Sequence, residues 1–440
     1  MTGVRIPPAA AEVVAVRPSG PLAGSVTVDG SKNAALPLLA AAAALRRTVH
    51  LANVPANADV ETMLVLLRQS CWSATRVATD PDTVVVKPSE RSESAPDPEV
   101  AARIRASYYL VPALLRAHGR ARLPWPGGCR IGDRGMEQHF AVYEGFGDRV
   151  TVDDRGYQVE AGVQPTSTAS LALPFRSRGA TIAALLRAVV AGRPLRLGQP
   201  ILSPEVLSVV DALRAAGWRC RESQSRLAVA PPLSASEGTV RWRVPGDKIE
   251  AGTLACAVAA TGGSARISGV SEEDVTPLVT ALRWLGVSAG FDGGALIVDE
   301  PHGTHPASHS LRAVASLAPG GLDADFEPPL MALALTRRGA HLFSDAINPG
   351  RHGNLIPQLA RLGADIHEVS PTRCRFTGPQ RLTGAGVEAM DIRTGSTLLI
   401  AGLTAHGITT VGGLEQLRRG HVDLPGRLRA LGADICEVTS

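Results

Sequence analysis

The sequence of 440 residues is poor in aromatic side chains, which make up 4% of it, and poorer still in lysine. Among its 45 basic residues only Lys32, Lys87 and Lys248 are lysines, and the others are arginines. Nucleic-acid-binding surfaces interleave clustered basic residues with aromatics, and this chain, with a net charge of +4, has no such stripe. We therefore expect no nucleic-acid partner, whereas a lysine retained in an arginine-rich chain indicates a need for a compact ammonium group.

Paired cysteines and long apolar runs are also missing. The apolar run at 34–45 is about a dozen residues long, well short of the roughly 20 that span a bilayer, and the first residues lack the apolar core of a signal peptide. We therefore expect a cytoplasmic protein with no membrane partner. The cysteines are far apart and form no CxxC motif, as a reducing compartment favours; they are Cys71, Cys129, Cys220, Cys256, Cys374 and Cys436.

One pattern recurs six times, about every 70 residues: a polar or charged opening is followed by an Ala/Leu-rich helix that usually closes at glycine. A β-like run and a second, amphipathic helix follow each copy, which predicts a unit of strand, helix, strand, helix, strand, strand. The six copies are SKNAALPLLAAAAAL from Ser31, RIRASYYLVPALLRAHG to Gly119, RSRGATIAALLRAVVAG to Gly192, DKIEAGTLACAVAATGG to Gly263, DADFEPPLMALALTRRG to Gly339 and DIRTGSTLLIAGLTAHG to Gly407.

This repeat predicts an α/β (α+β) protein of two domains, because 440 residues exceed what one core usually holds. Each domain would contain three units, with helices that are apolar all round inside and with sheets and amphipathic helices outside, an inside-out α/β barrel. Pro245 and Gly246 interrupt the chain before the fourth copy. We expect a first domain at 31–244 and a second at 1–30 plus 245–440, with a hinge near Gly30.

The openings of the inner helices carry most of the functional signal. Helix N-termini present free N–H groups and the positive end of the helix dipole, so they attract anions. The openings also carry basic side chains, so a cleft between the domains would suit phosphates and carboxylates; these residues are Lys32, Arg103, Arg105, Arg176, Arg178, Lys248 and Arg393. The segment GSKNAA is not a phosphate-binding loop of the GxxxxGK[ST] type, which disfavours kinase and ATPase activity.

At DGSKNAALPLLAAAAAL, LPWPGGCRIGDR, PGDKIEAGT and DIRTGSTLLIAG the chain resembles the enolpyruvyltransferase family, most closely the branch that acts on UDP-N-acetylglucosamine. The resemblance runs through essentially the whole chain. It implies two domains of three βαβαββ units each, joined by a double hinge. It also implies transfer of the enolpyruvyl group of phosphoenolpyruvate to a substrate hydroxyl through a tetrahedral ketal, without a metal or an organic cofactor.

The resemblance assigns the donor site residue by residue. Lys32 and Arg134 match residues around the phosphate of phosphoenolpyruvate, and three arginines match those that hold its carboxylate and close the domains: Arg351, Arg393 and Arg419. A trianionic donor needs several fixed cations, and the arginine fork suits carboxylate and phosphate. Asp391 matches an acid beside the lysine.

For the acceptor, the resemblance implies Asp325 as the general base near the attacking hydroxyl, with Asp323 as a nearby competitor for that role. It places Arg105 near the acceptor's phosphates, and the other residues implied on the acceptor side are Asn33, Arg134, His139, Ser177, Gly179 and Ile347. Cys129 matches a loop cysteine that takes part in proton transfer or product release and is alkylated by fosfomycin. Cations near Cys129 would favour its thiolate form.

The departures from the family cluster on the acceptor side. RGMEQH stands where relatives have an Arg-Pro-Val-Asp-Leu-His run for the uridine, and Phe175 stands where a lysine near the diphosphate is usual. This favours a different nucleotide, UMP, as in the assembly of nucleoside antibiotics. The alternatives are UDP-N-acetylglucosamine in peptidoglycan synthesis and, from another class, a non-catalytic nucleotide-binding paralogue. The oligomeric state is left open.

Overall fold

The computed structural model describes residues 12–89, 96–128, 135–163, 166–234, 238–300 and 309–439. Its α-helices are α1 (Lys32–Leu45), α2 (Ala58–Gln69), α3 (Pro98–Ala101), α4 (Val111–His118), α5 (Glu137–Gly145), α6 (Arg178–Ala191), α7 (Pro204–Ala215), α8 (Lys248–Ala260), α9 (Glu272–Trp284), α10 (Glu327–Ala334), α11 (Arg351–Arg361), α12 (Ile392–Thr404), α13 (Leu414–Gly420) and α14 (Leu424–Ala430). Two 3₁₀ helices cover Arg105–Leu110 and Ala324–Phe326.

The strands are β1 (Glu12–Val16), β2 (Ala23–Thr27), β3 (Val49–Ala52), β4 (Trp72–Val77), β5 (Asp80–Pro88), β6 (Arg120–Pro124), β7 (Arg149–Asp153), β8 (Gly156–Glu160), β9 (Ala169–Ala172), β10 (Leu195–Gly198), β11 (Arg219–Ser223), β12 (Arg226–Ala230), β13 (Val240–Arg243), β14 (Ser264–Ser268), β15 (Ser288–Asp292), β16 (Ala295–Asp299), β17 (Arg312–Val314), β18 (Gly339–Ser344), β19 (His367–Ser370), β20 (Arg373–Gly378), β21 (Gly386–Glu388), β22 (Thr409–Gly412) and β23 (Ile435–Thr439). They form six small sheets. Their strand orders are β13-β3-β5-β4, β6-β8-β7, β11-β12-β10-β9, β15-β16-β14-β2, β17-β18-β20-β19 and β21-β22-β1-β23.

The unit at β9-α6-β10-α7-β11-β12 has the predicted order of strand, helix, strand, helix, strand, strand. Strand β10 pairs in parallel with β9, where Leu195 faces Ala169, and antiparallel with β12, where Leu195 faces Val229. Leu195 and Leu197 alternate inward and are 1% exposed, so this face of the sheet covers the helices. The sheet around β6 has three strands in the part of the chain that the structure describes, and its unit opens with the short helix α3 instead.

Two separate hydrophobic cores fill the molecule. One is built on the mutually contacting helices α1, α4 and α6 and takes its buried residues from 34–244. The other is built on α8, α10 and α12 and takes them from 14–28 and 249–435. The composition of helix α1 explains its central position, because Ala and Leu cover every side of it and almost all of its residues are buried. We call these the first core and the second core.

Two chain segments connect the cores, and they lie side by side. Strand β2 precedes α1 but pairs with β14 of the second core, whereas β13 precedes α8 but pairs with β3 of the first. At the crossing Gly30 and Gly246 form an antiparallel bridge. A Cβ on Gly30 would lie 1.9 Å from the Asn53 carbonyl oxygen, so only glycine fits there. The domain boundaries at 31 and 245 stay a prediction, and they fall next to this crossing.

Some helix ends differ from the predicted ones. Gly119 and Gly192 do end α4 and α6 in the left-handed conformation. By contrast α10 starts only at Glu327, after a 3₁₀ turn, and ends at Ala334 instead of reaching Gly339. Proline at the first helical positions explains the start, because it lacks an N–H and fits only the first turn. Within the described residues no helix is long and apolar enough to cross a membrane.

Candidate active site

A cleft of ≈ 770 Å³ lies between the two cores. Its wall includes the first turns of α1, α6, α8 and α12, the inner helices whose openings carry cations. All predicted site residues within the described ranges line it: Lys32, Asn33, Arg105, His139, Ser177, Gly179, Asp325, Ile347, Arg351, Asp391, Arg393 and Arg419. Cys129 and Arg134 lie outside the described residues. The sequence therefore predicted side chains that converge although they are up to 387 positions apart, from Lys32 to Arg419.

Asp325 lies between two arginines. Arg351 Nη2 is 2.7 Å from its Oδ1, and Arg393 Nη2 is 3.1 Å from its Oδ2. Burial by itself would raise the pKa of Asp325, but the charges of Arg393 and Arg351 outweigh it and hold that pKa well below its usual range. Asp325 is therefore ionised in this arrangement and is a poor base as long as both arginines hold it.

Arg351 is fixed from more than one side. Its side chain is 2% exposed, its Nη1 lies 3.2 Å from Asp345 Oδ2, and it also donates to the backbone oxygen of Ala324. Ile347 belongs to the same loop, because its N–H donates to Asp345 Oδ1 at 3.0 Å. A guanidinium anchored in this way keeps its fork oriented toward the cleft.

Asp59 joins the two cores. Its Oδ2 is 3.1 Å from Lys32 Nζ at the start of α1, and its Oδ1 is 3.0 Å from Arg419 Nε in α13. Lys32 is thus paired with Asp59 and not with Asp391, the acid that the resemblance placed beside it. Arg419, which we expected with the other two arginines, lies with Lys32 instead.

Asp391 caps α12. Its Oδ1 accepts from the N–H groups of Arg393 at 2.9 Å and Thr394 at 3.0 Å, and its Oδ2 accepts from Thr394 Oγ1 at 2.7 Å and Asn354 Nδ2 at 3.2 Å. An N-cap aspartate satisfies the free N–H groups of the first turn. In this structure Asp391 therefore positions the turn that carries Arg393.

The wall on the side of the first core carries the predicted acceptor residues. Ser177 caps α6 by accepting from the N–H of Ala180 at 3.3 Å, and Arg105 donates to the Gly135 oxygen at 3.5 Å. A Cβ on Gly179 would lie 2.4 Å from His139 Nε2, so glycine at this position lets the imidazole reach the start of α6. Asn33, in the first turn of α1, completes this wall.

His139 is 5% exposed and packs with its ring centroid 4.6 Å from that of Tyr108. Neither ring nitrogen has a hydrogen-bond partner among the described residues. Burial first and the charge of Arg105 second lower the pKa of His139 to about 3, so the ring is neutral at neutral pH. A neutral imidazole offers a ligand one donor and one acceptor.

This lowered pKa predicts a pH dependence of stability. As the pH falls through about 6.5, unfolded His139 takes up a proton and the folded residue does not, so the free energy of unfolding decreases toward lower pH. We expect the contribution of His139 to fall by about 2 kcal/mol between pH 8 and pH 5. Urea unfolding at both pH values measures it, with His139→Gln as the comparison. Equal pH dependence in the two proteins would contradict the prediction.

Among the charged residues of the cleft, Asp59, Arg178 and Lys248 were not assigned to a substrate from the sequence, and Asp323 was given only as an alternative base. For three of them a signal was present. Lys248 is one of three lysines, Arg178 is in a cationic opening, and Asp323 is the second aspartate of DADFEPP. Asp59 gave no signal, because an acidic residue in the first turn of a helix is ordinary.

Comparison with known proteins identifies the family. Residues 16–428 match the EPSP synthase (3-phosphoshikimate 1-carboxyvinyltransferase) family. The chain is 33% identical over 427 residues to UDP-N-acetylglucosamine 1-carboxyvinyltransferase 3 of Symbiobacterium thermophilum, which covers 96% of each protein. The chain belongs to this family. It is an enzyme of the enolpyruvyl (carboxyvinyl) transferase class, which confirms the family predicted from the sequence.

Further relatives agree. UDP-N-acetylglucosamine 1-carboxyvinyltransferase 1 of Halalkalibacterium halodurans is 32% identical over 431 residues, covering 96% of this chain and 94% of that one. Among solved structures, the enolpyruvyl transferase NikO from Streptomyces tendae has a TM-score of 0.83 at 23% identity and covers 98% of this chain and 100% of that one. EPSP synthase from Acinetobacter baumannii has a TM-score of 0.71 at 18% identity, with 97% and 100% covered. These likenesses confirm the predicted fold class.

Proposed function

We propose that this enolpyruvyltransferase transfers the enolpyruvyl group of phosphoenolpyruvate to a sugar hydroxyl of a uridine nucleotide and releases phosphate. One observation carries the proposal: two of the cation pairs in the cleft suit a donor with an anion at each end. Lys32 and Arg419 are one pair, and Arg351 and Arg393 are the other. The names of the two related carboxyvinyltransferases support a uridine nucleotide as acceptor.

We assign the pair at Lys32 and Arg419, with Arg134, to the donor's phosphate, and Arg351 and Arg393 to its carboxylate. A carboxylate that enters between the two arginines takes the place of Asp325. The pKa of Asp325 then rises toward its usual range, because it no longer has both cations to itself. Donor binding would in this way convert Asp325 from a carboxylate paired with two arginines into a general base.

The chemistry follows from these positions. Asp325 takes the proton of the acceptor hydroxyl, the hydroxyl oxygen bonds to C2 of phosphoenolpyruvate, and a proton is added at C3 to give the tetrahedral ketal. Loss of a C3 proton and cleavage of the bond from C2 to the phosphate oxygen then restore the double bond and release phosphate. Proton transfer by a positioned side chain contributes about 10²- to 10⁴-fold in rate. Cys129 is the proposed partner in proton transfer or product release.

We propose UMP as the acceptor, in nucleoside-antibiotic biosynthesis and in the cytoplasm. The support lies in the acceptor wall: a neutral His139 is buried against Tyr108, and Phe175 stands at the cleft with its side chain largely exposed. The aromatic side chain of Phe175 offers no charge to a second phosphate. Arg105, Ser177 and Gly179 line the same wall and can bind a single phosphate.

UDP-N-acetylglucosamine is the second candidate acceptor, because both related carboxyvinyltransferases named above are named for it. In that case the enzyme would serve peptidoglycan synthesis. The two candidates share the donor site and differ only in what the acceptor wall must hold.

Turnover assays separate the candidates. We expect phosphate release from phosphoenolpyruvate with UMP, together with a product whose mass exceeds that of UMP by one enolpyruvyl group in place of a hydrogen. Parallel reactions contain UDP-N-acetylglucosamine or shikimate 3-phosphate instead. Turnover with the UDP-sugar alone would replace UMP by the second candidate, and no turnover with either uridine nucleotide would support a non-catalytic paralogue.

A further inference from the structure

Three carboxylates in the cleft each hold two cations. The proposed function uses two of these groups, because the donor has two anionic ends, and it leaves the third without a ligand. The three groups are Asp59 with Lys32 and Arg419, Asp325 with Arg351 and Arg393, and Asp323 with Lys248 and Arg178.

The third group spans the cleft. Asp323 Oδ2 is 2.8 Å from Lys248 Nζ and 3.6 Å from Arg178 Nη2. Lys248 is the first residue of α8 in the second core, and Arg178 is the first residue of α6 in the first core. All three side chains line the cleft, so a ligand that fills the cleft can reach them.

A second carboxylate lies behind these cations. Glu205 is 3% exposed, and its Oε1 lies 3.4 Å from Lys248 Nζ and its Oε2 3.4 Å from Arg178 Nη2. Glu205 is fixed at the start of α7, whereas Asp323 belongs to the short turn that also carries Asp325. When Asp323 is displaced, two cations face one carboxylate and an excess positive charge remains.

Two features favour an anionic ligand at this place. Both cations begin long helices, so the positive dipole ends of α6 and α8 add to their charge. Arg178 Nε is buried and has no hydrogen-bond partner among the described residues, so the guanidinium has an N–H group that can donate to a ligand. A group that accepts several hydrogen bonds and carries negative charge, as a phosphate does, would use it.

We propose that Arg178 and Lys248 bind a phosphate group of the acceptor nucleotide, and that Asp323 occupies their site in the free enzyme. This inference rests on the proposed function, which supplies the acceptor. Asp323 is then a competitor of the acceptor's phosphate, as Asp325 is of the donor's carboxylate. Asp323 and Asp325 lie in the same turn, so binding of either substrate breaks some of the ion pairs that hold this turn in place.

Calorimetric titration with UMP and with uridine, which lacks the phosphate, tests the site. We expect the wild-type enzyme to bind UMP more tightly than uridine, and Arg178→Met to weaken UMP binding by about 10- to 100-fold with little change for uridine. Asp323→Asn removes the competitor without removing a cation, so UMP binding should become tighter and uridine binding should not. Arg122→Met, which removes an exposed arginine that pairs with Asp153 outside the cleft, is the control and should leave the ratio of the two affinities unchanged.

Three outcomes would overturn the inference: a wild-type enzyme that binds UMP no better than uridine, an Arg178→Met variant that weakens both ligands equally, or an Asp323→Asn variant that binds UMP less tightly. Thermal unfolding of each variant shows whether it is folded. If Arg178→Met does not fold, the affinity of Asp323→Asn for UMP tests the inference instead. These measurements need no turnover. Phosphate-dependent binding without enolpyruvyl transfer would therefore refute the proposed function and leave the binding site standing.

Discussion

Replacing Asp325 by asparagine is expected to lower kcat by about 10²- to 10⁴-fold, because asparagine cannot accept the proton of the attacking hydroxyl. The amide keeps the size of the carboxylate, and Asp325 has no other described side-chain partners than Arg351 and Arg393. The reaction is measured as phosphate release with both substrates saturating, so that a change of affinity does not enter the result.

Asp211→Asn is the matched control for this variant. Asp211 is exposed on α7, pairs with Arg214 at 2.7 Å and does not line the cleft, so its replacement should leave kcat within error of the wild type. Asp323→Asn is the informative comparison, because the sequence left Asp323 as an alternative base. A larger loss of kcat in Asp323→Asn than in Asp325→Asn would transfer the role of the base to Asp323.

Replacing Arg187 by methionine is expected to lower the free energy of unfolding by about 3–5 kcal/mol, because it removes one partner of a buried ion pair and keeps the charge of the Asp148 carboxylate inside. Arg187 Nε and Nη2 each lie 2.6 Å from an Asp148 oxygen, and the two side chains are 2% and 0% exposed. The guanidinium also lies 5.5 Å from the centroid of the Phe146 ring. Urea unfolding of the variant and the wild type measures the difference.

Two comparisons sharpen this prediction. Arg149→Met removes an exposed arginine that pairs with Glu160 at the surface, and it should change stability little, since water replaces such a pair at small cost. Arg187→Met combined with Asp148→Asn should recover part of the loss, because the charges of both members of the buried pair are then removed together. A double variant as unstable as the single one would mean that packing around Arg187, not its charge, holds this region.

The repeat was readable from the sequence because helix α1 and its counterparts are apolar on every side, a pattern that only a fully buried helix produces. The boundaries were less readable. The segment from Arg103 to Gly119 looked like one helix, but Pro112 at the start of α4 separates it from a 3₁₀ helix at Arg105–Leu110. The proline explains this break only after the structure has shown that it lies in the first turn of a new helix.

The candidate site was readable only as a set of residue types. A resemblance of motifs selected Lys32, Asp325 and the arginines, but it could not give their partners, since ion pairs form between residues that are distant in sequence. Asp59 and Arg419 are 360 positions apart, and no local pattern links them. For this reason the resemblance put Asp391 beside Lys32, where the structure has Asp59.

The exchange of β2 and β13 between the cores has a consequence for the order of events during synthesis. Residues 31–244 supply all the strands and helices of the first core, so that core can close while the rest of the chain is still being made. Among the described strands, β1 pairs with β22 and β23, and β2 pairs with β14. Strands β1 and β2 are thus synthesised long before the strands that they pair with, and contacts of such long sequence separation form slowly. Until β22 and β23 have been synthesised, β1 is an unpaired edge open to association with other chains.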